Sequence, residues 1–250
     1  MRRLAPVALL VGVLALTGCR GGSPEPPPTP AGIDPGAFDP ADGNGLWLLS
    51  GDAVTEQVVA AMRAGGPVSL TGGFTELTEG TETADPAPGR ALTVDYAGSA
   101  GRLRASLAAG ELRLDVVVAD GRAYLRGNEA YAAHTGHDDF ARGWVCTTPD
   151  DGLLEEWAPL LSPAELVDGL LGGNESIAAN PPAGDAETLD VVVGASSAPT
   201  GRLTVERFGA PLPRDFFAGD ATGDGEFAFR GWGEPVDVAA PEELVRDCGD

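Results

Sequence analysis

Between Leu92 and Val118 large apolar residues fall at every second position, and only the short stretches AGSAG and AAGE interrupt the rhythm, with ADGR following the last run. Leu92, Val94 and Tyr96 make the first run. Leu103, Ala105 and Leu107 make the second, alternating with Arg102, Arg104 and Ser106, and Leu112, Leu114, Val116 and Val118 make the third. Successive side chains of a strand point to opposite faces, so each run predicts a strand with one apolar and one wet side. Linkers this short, rich in Gly and Asp, are turns, and strands joined by tight turns form an antiparallel meander. The same period returns at Leu189, Val191 and Val193, at Leu203 and Val205, and at Phe227 and Phe229.

Two segments keep a helical period instead. In SGDAVTEQVVAAMRAGG, Val54, Val58, Ala61 and Met62 share a face, Ser50 or Asp52 is placed to cap the start, and Gly65-Gly66 ends the run. In DDGLLEEWAPLLSPAELVDGLLGG, eight large apolar residues from Leu153 to Leu171 predict two short helices, with Ser162-Pro163 opening the second and Gly172 closing it. The order is helix, four or five strands, two helices, then three or four strands. That order is satisfied by an α+β fold, a curved antiparallel sheet with helices on its concave face. The leucine-rich helices need a surface to cover. The same residue types fill a core and line a ligand cavity, so the sequence leaves both open.

The N-terminus reads differently. Arg2 and Arg3 precede an apolar run from Leu4 to Leu16, too short to span a bilayer, and LALTGC follows. Residues 1–18 have the form of a signal peptide. Leu-Thr-Gly-Cys resembles the bacterial lipobox, which implies that Cys19 carries a diacylglyceryl thioether, with fatty acyl chains such as palmitate, and becomes the mature N-terminus. Two or more acyl chains anchor firmly, so the chain is expected on the extracytoplasmic face of the cell membrane. Residues 19–45, rich in Pro and Gly, are expected to be a disordered tether, and residues 46–250 a single domain. The net charge of −22 repels nucleic acid and anionic membrane surfaces alike, so the acyl anchor must do the holding. Outside the cytoplasm the two remaining cysteines, Cys146 and Cys248, are expected to pair, closing a loop of roughly 100 residues worth about 4 to 5 kcal/mol of chain entropy.

Other motifs carry little. HTGHDD, with His134, His137, Asp138 and Asp139, reads as a polar loop, since its spacing fits no zinc motif. DATGDGEF opens like a calcium loop, but the twelfth position from Asp220 is Gly231, and a hairpin turn at Asp-Gly is the simpler reading. Ser99 in AGSAG lacks the first glycine of a hydrolase elbow, and no triad can be assembled. The chain is therefore read as no enzyme, with no cofactor and no metal.

VVVADGRAYLRG, RGWVCTTPDDG with the leucine-rich pair, TGRLTVERFGAPLPRDFF and FRGWGEPVDVAAP together resemble the actinobacterial lipoproteins of the LppX and LprG group, over residues 50 to 241 in element order. The resemblance implies the half-barrel of the periplasmic carrier LolA, with acyl chains held between sheet and helices. It makes Val116, Val118, Leu154, Trp157, Leu161, Leu166 and Leu170 the candidates for a lipid or glycolipid cavity, and an envelope transporter or other protein the kind of partner expected. The alternative is an envelope interaction or regulatory lipoprotein with a filled core and no ligand.

Overall fold

The computed structural model describes residues 34–78, 87–172, 176–195, 198–220 and 223–248, so the expected signal peptide, Cys19 and the first part of the expected tether lie outside the described residues. The strands are β1 Val68–Thr78, β2 Ala87–Ser99, β3 Arg102–Ala109, β4 Leu112–Ala119, β5 Arg122–Gly127, β6 Trp144–Thr147, β7 Ile177–Ala179, β8 Thr188–Ala195, β9 Ala198–Glu206, β10 Pro213–Asp220, β11 Gly223–Arg230 and β12 Leu244–Arg246. They form one open sheet in the order β12-β6-β5-β4-β3-β2-β1-β11-β10-β9-β8-β7. All neighbours are antiparallel except β12 on β6. Two meanders meet where β1 pairs β11. The fold is the α+β half-barrel that the resemblance implies, with the antiparallel meanders that the period-two runs predict.

Register turns those runs into a surface. Leu203, Phe216, Phe227, Gly72, Val94 and Leu107 stand opposite one another across six strands. Leu103, Ala105 and Leu107 are buried while Arg102, Arg104 and Ser106 are exposed. β1 is the central strand, and its glycine hides it from a hydrophobic count. A Cβ on Gly72, at φ 154°, would stand 2.1 Å from the Glu226 carbonyl oxygen and 2.7 Å from the Phe227 ring. The missing side chain lets Phe74 and Phe227 approach with ring centroids 6.2 Å apart.

Helix α1, Asp52–Ala64, buries Val54, Val58 and Met62 against this face. Gly51 holds the N-cap position and Asp52 is the first helical residue, so Asp52 is not the cap. The first leucine-rich helix is not α but a ten-residue 3-10 run, Gly152–Leu161, with Pro159 inside it. Proline has no N–H for an α-helical bond and its ring crowds the preceding turn. Beyond it α3, Pro163–Gly172, starts as expected, with the Ser162 hydroxyl accepting the Glu165 N–H at 3.4 Å. Arg63 of α1 and Glu165 of α3 join the two helices at 2.8 Å.

Three further expectations change. HTGHDD is not a loop throughout: helix α2, Glu129–Thr135, takes in His134, capped by Asn128 and ended by Gly136 at φ 74°. Asp224-Gly225 lies within β11 and not in the turn, because β10 ends at Asp220 and β11 begins at Gly223. The expected tether of residues 19–45 is too long at its C-terminal side, since residues 38–45 pack on the domain. Phe38 meets Trp47 edge-on at 5.8 Å. Asn44 donates from its backbone N–H to the Arg207 carbonyl at 2.8 Å and from its side chain to the Glu206 carbonyl at 2.9 Å.

The chain's other end is tied as well. After β11, Gly233 donates to the Pro67 carbonyl at 2.8 Å and Arg102 Nη2 donates to the Val238 carbonyl at 2.6 Å. Val238 packs with Ala119, Tyr124 and Cys146 in a small second core on the sheet's opposite face. The strap then runs beside β6 as β12 and brings Cys248 to a Cα–Cα distance of 4.7 Å from Cys146, within the span of a disulfide. The two cysteines are expected to be oxidised to one another. Thiol labelling of the unreduced native chain should modify neither, and reduction should cost about 2–5 kcal/mol in denaturant unfolding.

Candidate functional site

Where the lid crosses the end of the sheet it leaves an apolar cleft with two arms. One arm, about 460 Å³, lies between the α1–α3 junction and strands β1 and β2, and is walled by Met62, Val68, Tyr96, Pro163 and Trp232. The other, about 370 Å³, lies between the 3-10 run and β3–β4, walled by Val118 and Leu154 with Ala158. Ala100, Leu103 and Leu161 line both, so Leu161 stands where the arms meet. Each volume is within the range of small-molecule sites.

Of the residues predicted to line a cavity, Val118, Leu154 and Leu161 do so. Val116, Trp157 and Leu166, buried in the same core to which Val118 and Leu154 belong, line neither arm, and half-buried Leu170 packs against that core. Val116 and Val118 share one face of β4, yet Val116 opposes Leu125 and Ala105 deep in the sheet, whereas Val118 sits one step from the strand end. Met62, Val68, Tyr96 and Trp232 were not singled out as lining residues. Tyr96 closes a period-two run, and Trp232 lies in GWGEP just past a strand, so the position of each at a strand end was the available signal. Trp232 is fixed by stacking on Phe229, centroids 6.3 Å apart and planes at 11°, and by its N–H donating to the Pro213 carbonyl at 2.8 Å.

The rim is polar and the walls are not. Burial pushes the Tyr96 phenol up to about 12, so it stays neutral in the wall. Arg63 at one rim is matched by Glu165. Asp150, Asp151 and Glu155 stand at the other. Ser99 reaches the cleft, and neither His134 nor His137 lines either arm. His137 packs edge-on to Phe140 at 5.8 Å. Among the described residues no group of three His, Cys, Asp or Glu side chains is disposed to hold a metal, and no helix is long and apolar enough to cross a membrane. The arrangement suits the burial of apolar matter.

Asp151 governs the start of the lid. Its carboxylate accepts the Leu153 N–H at 3.0 Å and the Thr147 hydroxyl. The Leu153 hydrogen bond first and then that of Thr147 hold its pKa below the ordinary carboxylate value against the opposing effect of burial, with the charges of Arg246 and His137 adding least. A depressed folded-state pKa contributes stability above the unfolded value that is lost as pH falls through the folded one. Acidification below the usual Asp range should therefore loosen Gly152–Leu161. The protection factors of the Leu153 and Leu154 amides against hydrogen exchange should fall there in the parent, and Asp151→Asn should show lowered protection already at neutral pH with little further change on acidification.

No protein-family model matches the chain, and no curated protein matches its sequence. Among solved structures it is similar to LprF from Mycobacterium bovis, with a TM-score of 0.42 and 12% identity over 76% of this chain and 95% of that one. It is also similar to the Mycobacterium tuberculosis lipoprotein LppX, with a TM-score of 0.37 and 15% identity over 81% of this chain and 100% of that one. Both are mycobacterial lipoproteins of the group whose likeness the sequence carries.

Proposed function

We propose that this chain is a lipid-anchored lipoprotein of the extracytoplasmic face of the cell membrane that binds an apolar ligand, a lipid or glycolipid, between sheet and lid, for carriage or sensing in the envelope. The apolar cleft that meets at Leu161 is the observation that carries the reading. Each methylene placed there gains about 0.8 kcal/mol from leaving water, offset by whatever opening the lid costs. No chemical step is needed for such a role, and an envelope transporter or another protein would exchange ligand with it. In this reading residues 1–18 are removed, Cys19 bears the acyl chains, and the tether ends where the chain first docks on the domain.

One observation favours a second reading. Val116, Trp157 and Leu166 are packed into the core and line neither arm, so part of the space between sheet and helices is filled. A domain whose remaining clefts stay empty would serve as an envelope interaction module.

Two substitutions on one strand separate these readings. Val118→Trp should fill one arm of the cleft, lower binding of a dansyl-labelled fatty acid at least tenfold and leave the melting temperature near that of the parent. Val116→Trp should overpack the core and lower stability by about 1–3 kcal/mol. Undiminished probe binding by Val118→Trp would exclude this arm as the ligand site, and failure of the parent to bind probe or co-purify with lipid in native mass spectrometry would favour the interaction module. Independently, Cys19→Ala should move the protein from the membrane fraction to the soluble fraction with its melting temperature unchanged, and continued membrane association would refute the anchor.

A further inference from the structure

The clefts, the aromatic cluster beneath the lid, the exposed arginines and the two ends of the sheet differ in how much they imply, and the sheet end at the β9–β10 loop carries the most. Three features meet there. Arg207, 9% exposed, is spent on carbonyls: its Nε donates to Asp42 at 2.5 Å, and its Nη1 to Gly184 at 2.7 Å and Ala186 at 3.0 Å. With the two Asn44 hydrogen bonds this fixes the N-terminal segment to the end of β9. The described segment nearest to Cys19 is therefore held against the domain at this loop. Next to the clamp, Phe208 is 52% exposed, its ring 4.9 Å from the Arg207 guanidinium, which gives a large apolar side chain a rigid base at the surface. The cleft opens at the same end: Val68 of β1 opposes Gly98 beside Ser99 and Ala100, and Trp232 donates to Pro213 at the start of β10.

The geometry points to the β9–β10 end of the sheet as the face this domain presents to the membrane, with Phe208 as its contact to the lipid surface. This rests on the reading of Cys19 as the anchor. The 15 residues from Cys19 to Ile33 can span at most about 50 Å. β1, 11 residues long, is about 35 Å from its start at this end to its finish at the other. Turning the opposite end to the membrane would consume most of the tether's reach in passing the domain itself. Docking with the β9–β10 end uses little of it. Tethering makes the contact intramolecular, so one aromatic side chain at high effective concentration suffices where it would not hold a free protein. With a net charge of −22 the surface that fits is a zwitterionic one, since anionic lipid would repel the domain. Ligand would then pass between bilayer and cleft without crossing open water.

The test uses the chain from Cys19 onward on phosphatidylcholine vesicles containing lipid with a doxyl quencher near the headgroup. It is held either by its own acyl chains or by an N-terminal hexahistidine on a nickel-chelating lipid. Phe208→Trp adds an indole at the proposed contact, and Phe217→Trp adds one on the outer sheet face, where Phe217 is 50% exposed. The quencher should lower the emission added by Phe208→Trp at least twofold and leave that added by Phe217→Trp unchanged. No quenching at position 208, or equal quenching at both positions, would overturn the orientation. The chelated chain keeps this result separate from the anchor: a soluble Cys19→Ala protein and a quenched indole at 208 support both readings, whereas a chain without acyl groups in cells fails only the anchor.

Discussion

An open sheet that turns most of its apolar side chains to one face cannot leave that face to water. The rest of the molecule follows from that need. A closed barrel would cover the face with itself, but here β7 and β12 remain edges. The cover comes from α1, the 3-10 run and α3, which place Val58, Met62, Trp157 and Leu171 in one continuous core with Leu70, Phe227 and Leu203. Where the cover is complete there is core, and where it falls short, at the end of the sheet beside the β2–β3 hairpin, there is cleft.

The lid falls short for a local reason. In a 3-10 helix side chains three residues apart eclipse one another, so the buried stripe is a single narrow line. Leu154, Trp157 and Leu160 form that line and are buried, while Leu161 falls beside it, half-buried, at the meeting of the two arms. An α-helix with a broader apolar stripe would seat more of these side chains on the sheet. Pro159 and the Ser162-Pro163 junction keep the segment from continuing as one long α-helix.

Both chain ends of the domain are fastened to the sheet by groups that spend their hydrogen bonds on carbonyls. Arg207 holds the N-terminal segment and Arg102 the C-terminal strap. Burying a guanidinium without such partners would cost several kcal/mol, so the carbonyls of Asp42, Gly184 and Ala186 make Arg207 and the segment mutually dependent. The strap's small apolar cluster with Tyr124 and Val238 lies on the face that the period-two pattern marks as wet. That face is therefore partly covered as well.

Much of this was legible in the sequence. Alternation at Leu103, Ala105 and Leu107 or at Leu189, Val191 and Val193 sets the face of each strand, because strand geometry permits no other arrangement of side chains. Ser162-Pro163 set the start of α3 through the loss of a backbone donor and the gain of a cap. Tertiary structure decided the rest. It placed β1 at the centre through Gly72, whose use is the absence of a side chain, and it folded residues 38–45 onto Arg207, 162 or more positions away. It also gave Val118 a place on the cleft and Val116 none, although both belong to one core and obey the same alternation. Periodicity fixes the direction in which a side chain points, and only the elements that arrive from distant parts of the chain decide whether it meets another side chain or a cleft.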